Sequence, residues 1–156
     1  LIGNYNPLID ADTNRDLFDY NTNDEENLLD GGAGDDSIAF DYGDTVTGGE
    51  GADSLTGYLE PDPNMEMTTV TDFNPDEDSL TIWVDKSAED ITLEVVNGDT
   101  HIVNGDTVIG VIQGQTDLTV GYLLDAVNGN TALVDANGDP IDAANVDIVI
   151  GNYPNV

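Results

Sequence analysis

Two nine-residue stretches, GGAGDDSIA at 31–39 and GGEGADSLT at 48–56, constrain this chain more than any other feature. Both fit G-G-x-G-x-D-x-U-x at every defined position, where U is a large apolar residue. Gly31, Gly32, Gly34, Asp36 and Ile38 fill the first copy, and Gly48, Gly49, Gly51, Asp53 and Leu55 fill the second. Between them, residues 40–47 form a shortened copy that keeps Gly43, Asp44 and Val46. Glycines turn the first six residues of each unit tightly, and the x-U-x tripeptide is a short strand whose middle side chain points inward. Two units complete one coil, so loops about eighteen residues apart stack on the same side. Loop Gly31–Asp36 is therefore expected beside loop Gly48–Asp53.

A carboxylate next to bare main-chain carbonyls is a hard-oxygen donor set. Calcium takes six to eight such oxygens at ~2.3–2.6 Å, and the two stacked loops are expected to share one ion. The charge balance asks for cations as well. Against 33 Asp+Glu stand 2 Lys+Arg, a formal net charge of −31 over 156 residues, and self-repulsion on that scale opposes folding. The same charge excludes binding to nucleic-acid phosphates or to an anionic membrane surface. Apolar residues make up 38% and gather in strand-like runs, which sets the chain apart from acidic disordered tails. Without cysteine there is neither a disulfide framework nor a thiolate metal site. No apolar run approaches the ~20 residues that span a bilayer. The length is that of one domain, and the start at Leu1 reads as a processed or excised piece.

Along the chain, Asp10, Asp12, Asn14 and Asp16 place oxygens at alternate positions, but Arg15 takes the place of the glycine a calcium loop wants, which favours a polar turn. Residues 22–30 fit the nonapeptide register with Asn27 in the aspartate slot and Leu29 inward. Tyr20, Leu29, Ile38, Val46 and Leu55 are then one inward ladder. Pro61 and Pro63 end the coil, since proline cannot donate to a parallel ladder. Beyond Met65 the pattern is that of conventional strands, at 67–73, 80–84 and 91–96. Turns at Asn97-Gly98 and Asn104-Gly105 link the third of these to strands at 100–103 and 107–112, an antiparallel meander. Over 117–127 the spacing of Leu118, Tyr122, Leu123 and Ala126 predicts a helix. Asp135–Pro140 reads as a turn between strands in preference to a cation loop, and 146–150 as a closing strand. Ile150-Gly151-Asn152-Tyr153 repeats Ile2-Gly3-Asn4-Tyr5 at a spacing of 148 residues, which points to a tandem array or to strand exchange between copies.

The nonapeptides resemble the repeats-in-toxin (RTX) family of secreted calcium-binding proteins. The segment TTVTDFNPDEDSLTIWV at 68–84 is similar to that family's closing segment, in which Asp72-Phe73 precedes a turn and a leucine-rich strand; Asp76 or Glu77 stands where the family has glycine. The resemblance covers roughly residues 22–112. With the strand and helix patterns it implies an all-β fold: a short calcium-binding parallel β-roll with an N-terminal cap over 1–64, continuing into an antiparallel β-rich part over 65–156 with one short helix near the C-terminus. It also implies calcium ligands. Asp36 and Asp53 would supply side chains, and Gly31, Ala33, Gly48 and Glu50 carbonyls, with Asp44 and Asp62 acting similarly on the opposite edge. The family's habit is to stay unfolded in the low-calcium cytosol, pass through a type I secretion channel of a Gram-negative bacterium, and fold in millimolar external calcium. The expected location is therefore extracellular or on the cell surface.

Catalysis has little to stand on. His101 is the one histidine, so no two-histidine zinc site exists, and Ser37, Ser54, Ser79 and Ser87 occupy repeat or turn positions, not a nucleophile elbow. The glycines precede aspartates, which repel phosphate. Three roles follow for a non-enzyme: a calcium-dependent structural module that self-associates into a layer, filament or matrix; the secretion and folding module of a larger exoenzyme or toxin; or an adhesin-type binding module. The first is preferred, on the terminal near-repeat and the lack of catalytic residues.

Overall fold

Short apolar tripeptides between glycine- and aspartate-rich turns can only make short strands, and the computed structural model is built from them. It describes residues 8–9, 16–18, 27–59, 67–84, 91–125 and 131–152. The first eight strands are β1 (Leu8–Ile9), β2 (Asp16–Phe18), β3 (Leu28–Asp30), β4 (Ser37–Asp41), β5 (Thr45–Thr47), β6 (Ser54–Tyr58), β7 (Thr68–Val70) and β8 (Ser79–Val84). Odd-numbered strands go to one sheet and even-numbered strands to the other. Each pairs in parallel with the strand two further on, β1-β3-β5-β7 in one sheet and β2-β4-β6-β8 in the other. The chain thus winds as a two-sheet coil.

The inward ladder lies between the sheets. Leu29, Val46 and Val70 are in register on one side and Ile38, Leu55 and Leu80 on the other, and none is more than 2% exposed. Tyr20 lies outside the described residues, as do Pro61 and Pro63. A second tier follows in β4, β6 and β8, where Phe40, Gly57 and Ile82 are neighbours. A Cβ on Gly57 would sit 2.5 Å from the Phe40 ring, so glycine makes the space that ring fills. Burying each of these side chains contributes ~1.5–3 kcal/mol.

The rest of the chain widens both sheets. β9 (Ile91–Val96), β10 (Asp99–Asn104) and β11 (Thr107–Ile112) form the expected antiparallel meander, turned at Asn97 and Gly98 with φ 54° and 88°. β11 then pairs in parallel with β7. In the other sheet β12 (Val120–Asp125), β13 (Thr131–Val134) and β14 (Ile148–Asn152) continue from β8 in the order β8-β14-β12-β13, with only the last pair antiparallel. The orders are β1-β3-β5-β7-β11-β10-β9 and β13-β12-β14-β8-β6-β4-β2, so each seven-stranded sheet holds strands from both sides of residue 64.

The fold is all-β, and the helix expected over 117–127 is a strand instead. Leu118, Val120 and Tyr122 recur at period two and pack on the core, a pattern that coexists in sequence with the helical spacing. Gly121 weakens a helix by ~1 kcal/mol; in the strand its open side is closed by Leu133 and Val146. Tyr122 is buried and its hydroxyl donates to the Ile91 carbonyl at 2.8 Å, while burial pushes its phenol above the ordinary value. Ala126 and Val127 lie outside the described residues. Among the described residues the helical content is one 3₁₀ turn, Ala143–Asn145, capped by the Asp142 side chain, and no helix is long and apolar enough to cross a membrane.

Candidate metal centre

The loops that lead from the first sheet to the second stack where the sequence expects them. The Ala33 and Glu50 backbones bridge in parallel. Gly31 N–H donates to the Thr47 carbonyl at 2.9 Å, Glu50 N–H to Gly32 at 2.8 Å and Gly34 N–H to Glu50 at 2.7 Å. Two glycines make this backbone-on-backbone stack possible. At Gly49 (φ 101°) and Gly51 (φ 127°) a Cβ would run into the carbonyls of Gly32 and Gly34. The spacing is 17 residues, one fewer than two full nonapeptides, because the unit around Asp44 is one residue short.

At the end of each loop an aspartate turns inward, and these form a column. Ser37, Ser54 and Ser79 are in register, so the aspartates before them, Asp36, Asp53 and Asp78, stack. Asp36 N–H donates to Asp53 Oδ1 and Asp53 N–H to Asp78 Oδ1, both at 2.9 Å. Asp36 and Asp53 are each 2% exposed. The second oxygen of Asp53, Oδ2, is buried and has no hydrogen-bond partner. It projects over Gly48, 2.5 Å from where a Cβ would be, and Asp36 Oδ2 stands 2.7 Å from the corresponding point on Gly31, beside the Gly48 carbonyl. Burial pushes the Asp53 carboxyl above its ordinary value; the Asp36 N–H opposes this, and the charges of Asp78, Asp36 and Asp72 push it further up. The two basic residues of the chain, Arg15 and Lys86, both lie outside the described residues.

The third loop of this edge, 71–78, has no glycine and supplies carboxylates in place of main chain. Asp72 accepts from Gly48 N–H and Gly49 N–H, each at 2.8 Å. Asp78 accepts from Asn74 N–H at 2.8 Å through its other oxygen, while Phe73 is buried in the core. Reading the repeats alone misses Asp78. Its signal is nonetheless present, since Asp-Ser followed by an apolar residue occurs at 36–38, 53–55 and 78–80.

The opposite edge is built otherwise. There the registers stack Asn27, Asp44 and Thr68. Asp44 is fully buried; its Oδ1 accepts from Asn27 N–H and its Oδ2 from Asp41 N–H, both at 2.9 Å. Thr68 continues the column, accepting from Gly43 N–H at 3.0 Å and donating to the Asp41 carbonyl at 3.1 Å. Asp62, the other residue expected to act at this edge, lies outside the described residues, as do residues 10–15 of the N-terminal polar loop.

No family model, curated protein or solved structure matches this chain. The chemistry of the glycine-loop edge is therefore weighed on its own donors. Among the described residues no group of three or more His, Asp or Glu side chains is disposed to hold a metal ion. A cation at this edge would be held by one or two carboxylates together with main-chain carbonyls, a donor set that suits calcium and not zinc or copper. The orphaned Asp53 Oδ2, and the close approach of carboxylate oxygens to Gly31 and Gly48 that only glycine permits, fit such an ion. Asp36, Asp53 and the carbonyls of Gly31, Ala33 and Gly48 are the donors at hand; the Glu50 carbonyl already accepts from Gly34 N–H.

Proposed function

We propose that this chain is a calcium-binding structural module of the RTX type, secreted, folding when it meets external calcium, and associating with copies of itself. The observation that carries the reading is Asp53 Oδ2: a buried carboxylate oxygen without a partner, facing a glycine loop, in a neighbourhood of four carboxylates. A buried unpaired anion costs several kcal/mol, and a bound cation offsets that cost. Asp36, Asp53 and the loop carbonyls would hold the ion, which would supply positive charge and nothing else. The role is to hold shape, and no chemistry is assigned to it. A protein this acidic couples metal binding to folding, since the unfolded chain has no preformed site.

Circular dichroism tests this directly. Millimolar calcium is expected to raise the melting temperature or to induce the strand signal, and chelator to reverse it; at a hundred times Kd the gain is ~2.7 kcal/mol. A strand signal and melting curve indifferent to both calcium and chelator would sink the reading.

A further inference from the structure

Two of the carbonyls at hand for an ion, those of Gly31 and Gly48, belong to peptide groups whose other end is held by a carboxylate. A trans peptide points its C=O and its N–H in opposite directions. The Gly32 N–H is thus the far end of the Gly31 carbonyl, and the Gly49 N–H that of the Gly48 carbonyl. Gly32 N–H donates to Asp30 Oδ1 at 3.1 Å, and Gly49 N–H to Asp72 Oδ2 at 2.8 Å. Among the described residues no backbone N–H donates to either carbonyl. The Gly48 carbonyl and Asp36 Oδ2 flank one point above Gly31.

The two carboxylates reach equivalent peptides from different parts of the chain. Asp30 stands two residues before the glycine it holds. In the next loop Thr47 takes that register position, and its hydroxyl pairs with that of Thr71 at 2.7 Å. The second loop therefore lacks a local carboxylate, and Asp72 of the third loop supplies one from 23 residues on. Its grip is the firmer of the two. Oδ1 takes the Gly48 N–H and Oδ2 the Gly49 N–H, each at 2.8 Å, so one planar group fixes two consecutive peptides.

We propose that Asp72, with Asp30 as its weaker counterpart, is a positioning residue of the calcium site. It acts through the peptide between Gly48 and Gly49, aiming and polarising the Gly48 carbonyl without touching the ion. This rests on the reading that the glycine loops bind calcium, and it names the group that sets their affinity. A bond from N–H to an ionised carboxylate is strong, and it makes the oxygen at the other end of the same peptide more negative. A cation on that oxygen acts in the same sense on the N–H, so each contact strengthens the other. Asp72 also removes in advance the backbone freedom that a glycine peptide would lose on binding. An outer partner of this kind typically contributes 10–100-fold to metal affinity.

Calorimetric titration of the full chain with calcium tests the assignment. Asp72→Asn keeps the shape of the side chain but offers one oxygen to two N–H groups, and is expected to weaken calcium binding about tenfold. Asp30→Ala removes the single, longer bond and is expected to weaken it less. Two further variants separate positioning from its alternatives. Asp44→Asn likewise leaves one of two N–H donors unmet, on the opposite edge, and measures what such a loss does through folding alone. Asp76→Asn removes one charge from an exposed side chain of the same loop, and is expected to change affinity by about twofold at most. If Asp72→Asn weakens calcium no more than Asp44→Asn, its bonds are only structural; if no more than Asp76→Asn, its effect is only charge. Either result overturns the positioning role and leaves calcium binding standing. Should Asp72→Asn not fold in saturating calcium, Asp30→Ala is held to the same two comparisons. An unmodified chain that takes up no calcium overturns both readings.

Discussion

The two edges of the coil solve one packing problem in opposite ways. Each must turn the chain between sheets and stack that turn on the next. The glycine-loop edge does so with a column of three aspartates, Asp36, Asp53 and Asp78, in which the middle one keeps a buried oxygen without a partner. The other edge uses Asn27, Asp44 and Thr68, a single carboxylate between two neutral groups, with both its oxygens taken by backbone N–H. One edge is self-sufficient and the other is short of positive charge. A shared repeat therefore does not mean a shared role: what decides whether an aspartate can serve an ion is how many of its oxygens the protein has already used.

The largest effect that can break this comparison is at the loop stack. Gly49→Val would drive a side chain into the Gly32 carbonyl at φ 101°. It is expected to cost about 3–5 kcal/mol, with and without calcium, in chemical denaturation. Asp44→Asn comes next, at ~1–3 kcal/mol, since an amide accepts through one oxygen and leaves one of the two N–H donors, Asn27 buried and Asp41 partly buried, unmet. That cost should be the same in calcium and in chelator; a calcium-dependent cost would mean this edge holds an ion after all.

Asp53→Asn gives the smallest change in the ion-free protein and the sharpest test. Its carboxyl is raised above 3.8 in the folded state, so its contribution to stability is complete below that value and is lost as pH rises through the folded value. Acidifying the ion-free protein from about pH 7 to about pH 4 is expected to raise its melting temperature through this group. Asp53→Asn should remove that part of the pH response, stabilise the ion-free fold by about 1 kcal/mol, and abolish the gain from calcium. Melting curves of the variant and the unmodified chain across this window, in chelator and in calcium, measure all three.

Much of the coil was legible in the sequence because glycine and aspartate punctuate it. Once Gly31, Asp36, Gly48 and Asp53 fix the register, Leu29, Ile38, Val46 and Leu55 can only point inward, and they do. The meander was legible for a like reason, since Asn97-Gly98 and Asn104-Gly105 are turns with a mechanism. Asp78 was hidden by distance: it follows Asp53 by 25 residues, not 17, and a period search passes over it. Asp72 stands out in sequence only by its place before a turn, and its grip on Gly48 and Gly49 leaves no mark there. The strand β12 is ambiguous in sequence because its apolar residues satisfy both periods, and its neighbours β13 and β14 decide between them. Least legible was the placing of β14, last in the chain yet seated between β8 and β12, a long-range pairing without local cause.

Asp72 has a consequence for how such a coil can grow. Its carboxylate occupies the Gly49 N–H and also the Gly48 N–H, whose counterpart Gly31 N–H donates to the main chain of the next loop at Thr47. The winding is therefore terminated from one side, like a thread finished with a knot. New turns spliced in ahead of Gly48 would leave that knot tied, and the molecule would lengthen while keeping its downstream sheets. Turns spliced in after Thr56 would pull the knot away from the loop it closes. Lengthening by duplication is thus directional, and the place where one more repeat is tolerated is set by two hydrogen bonds.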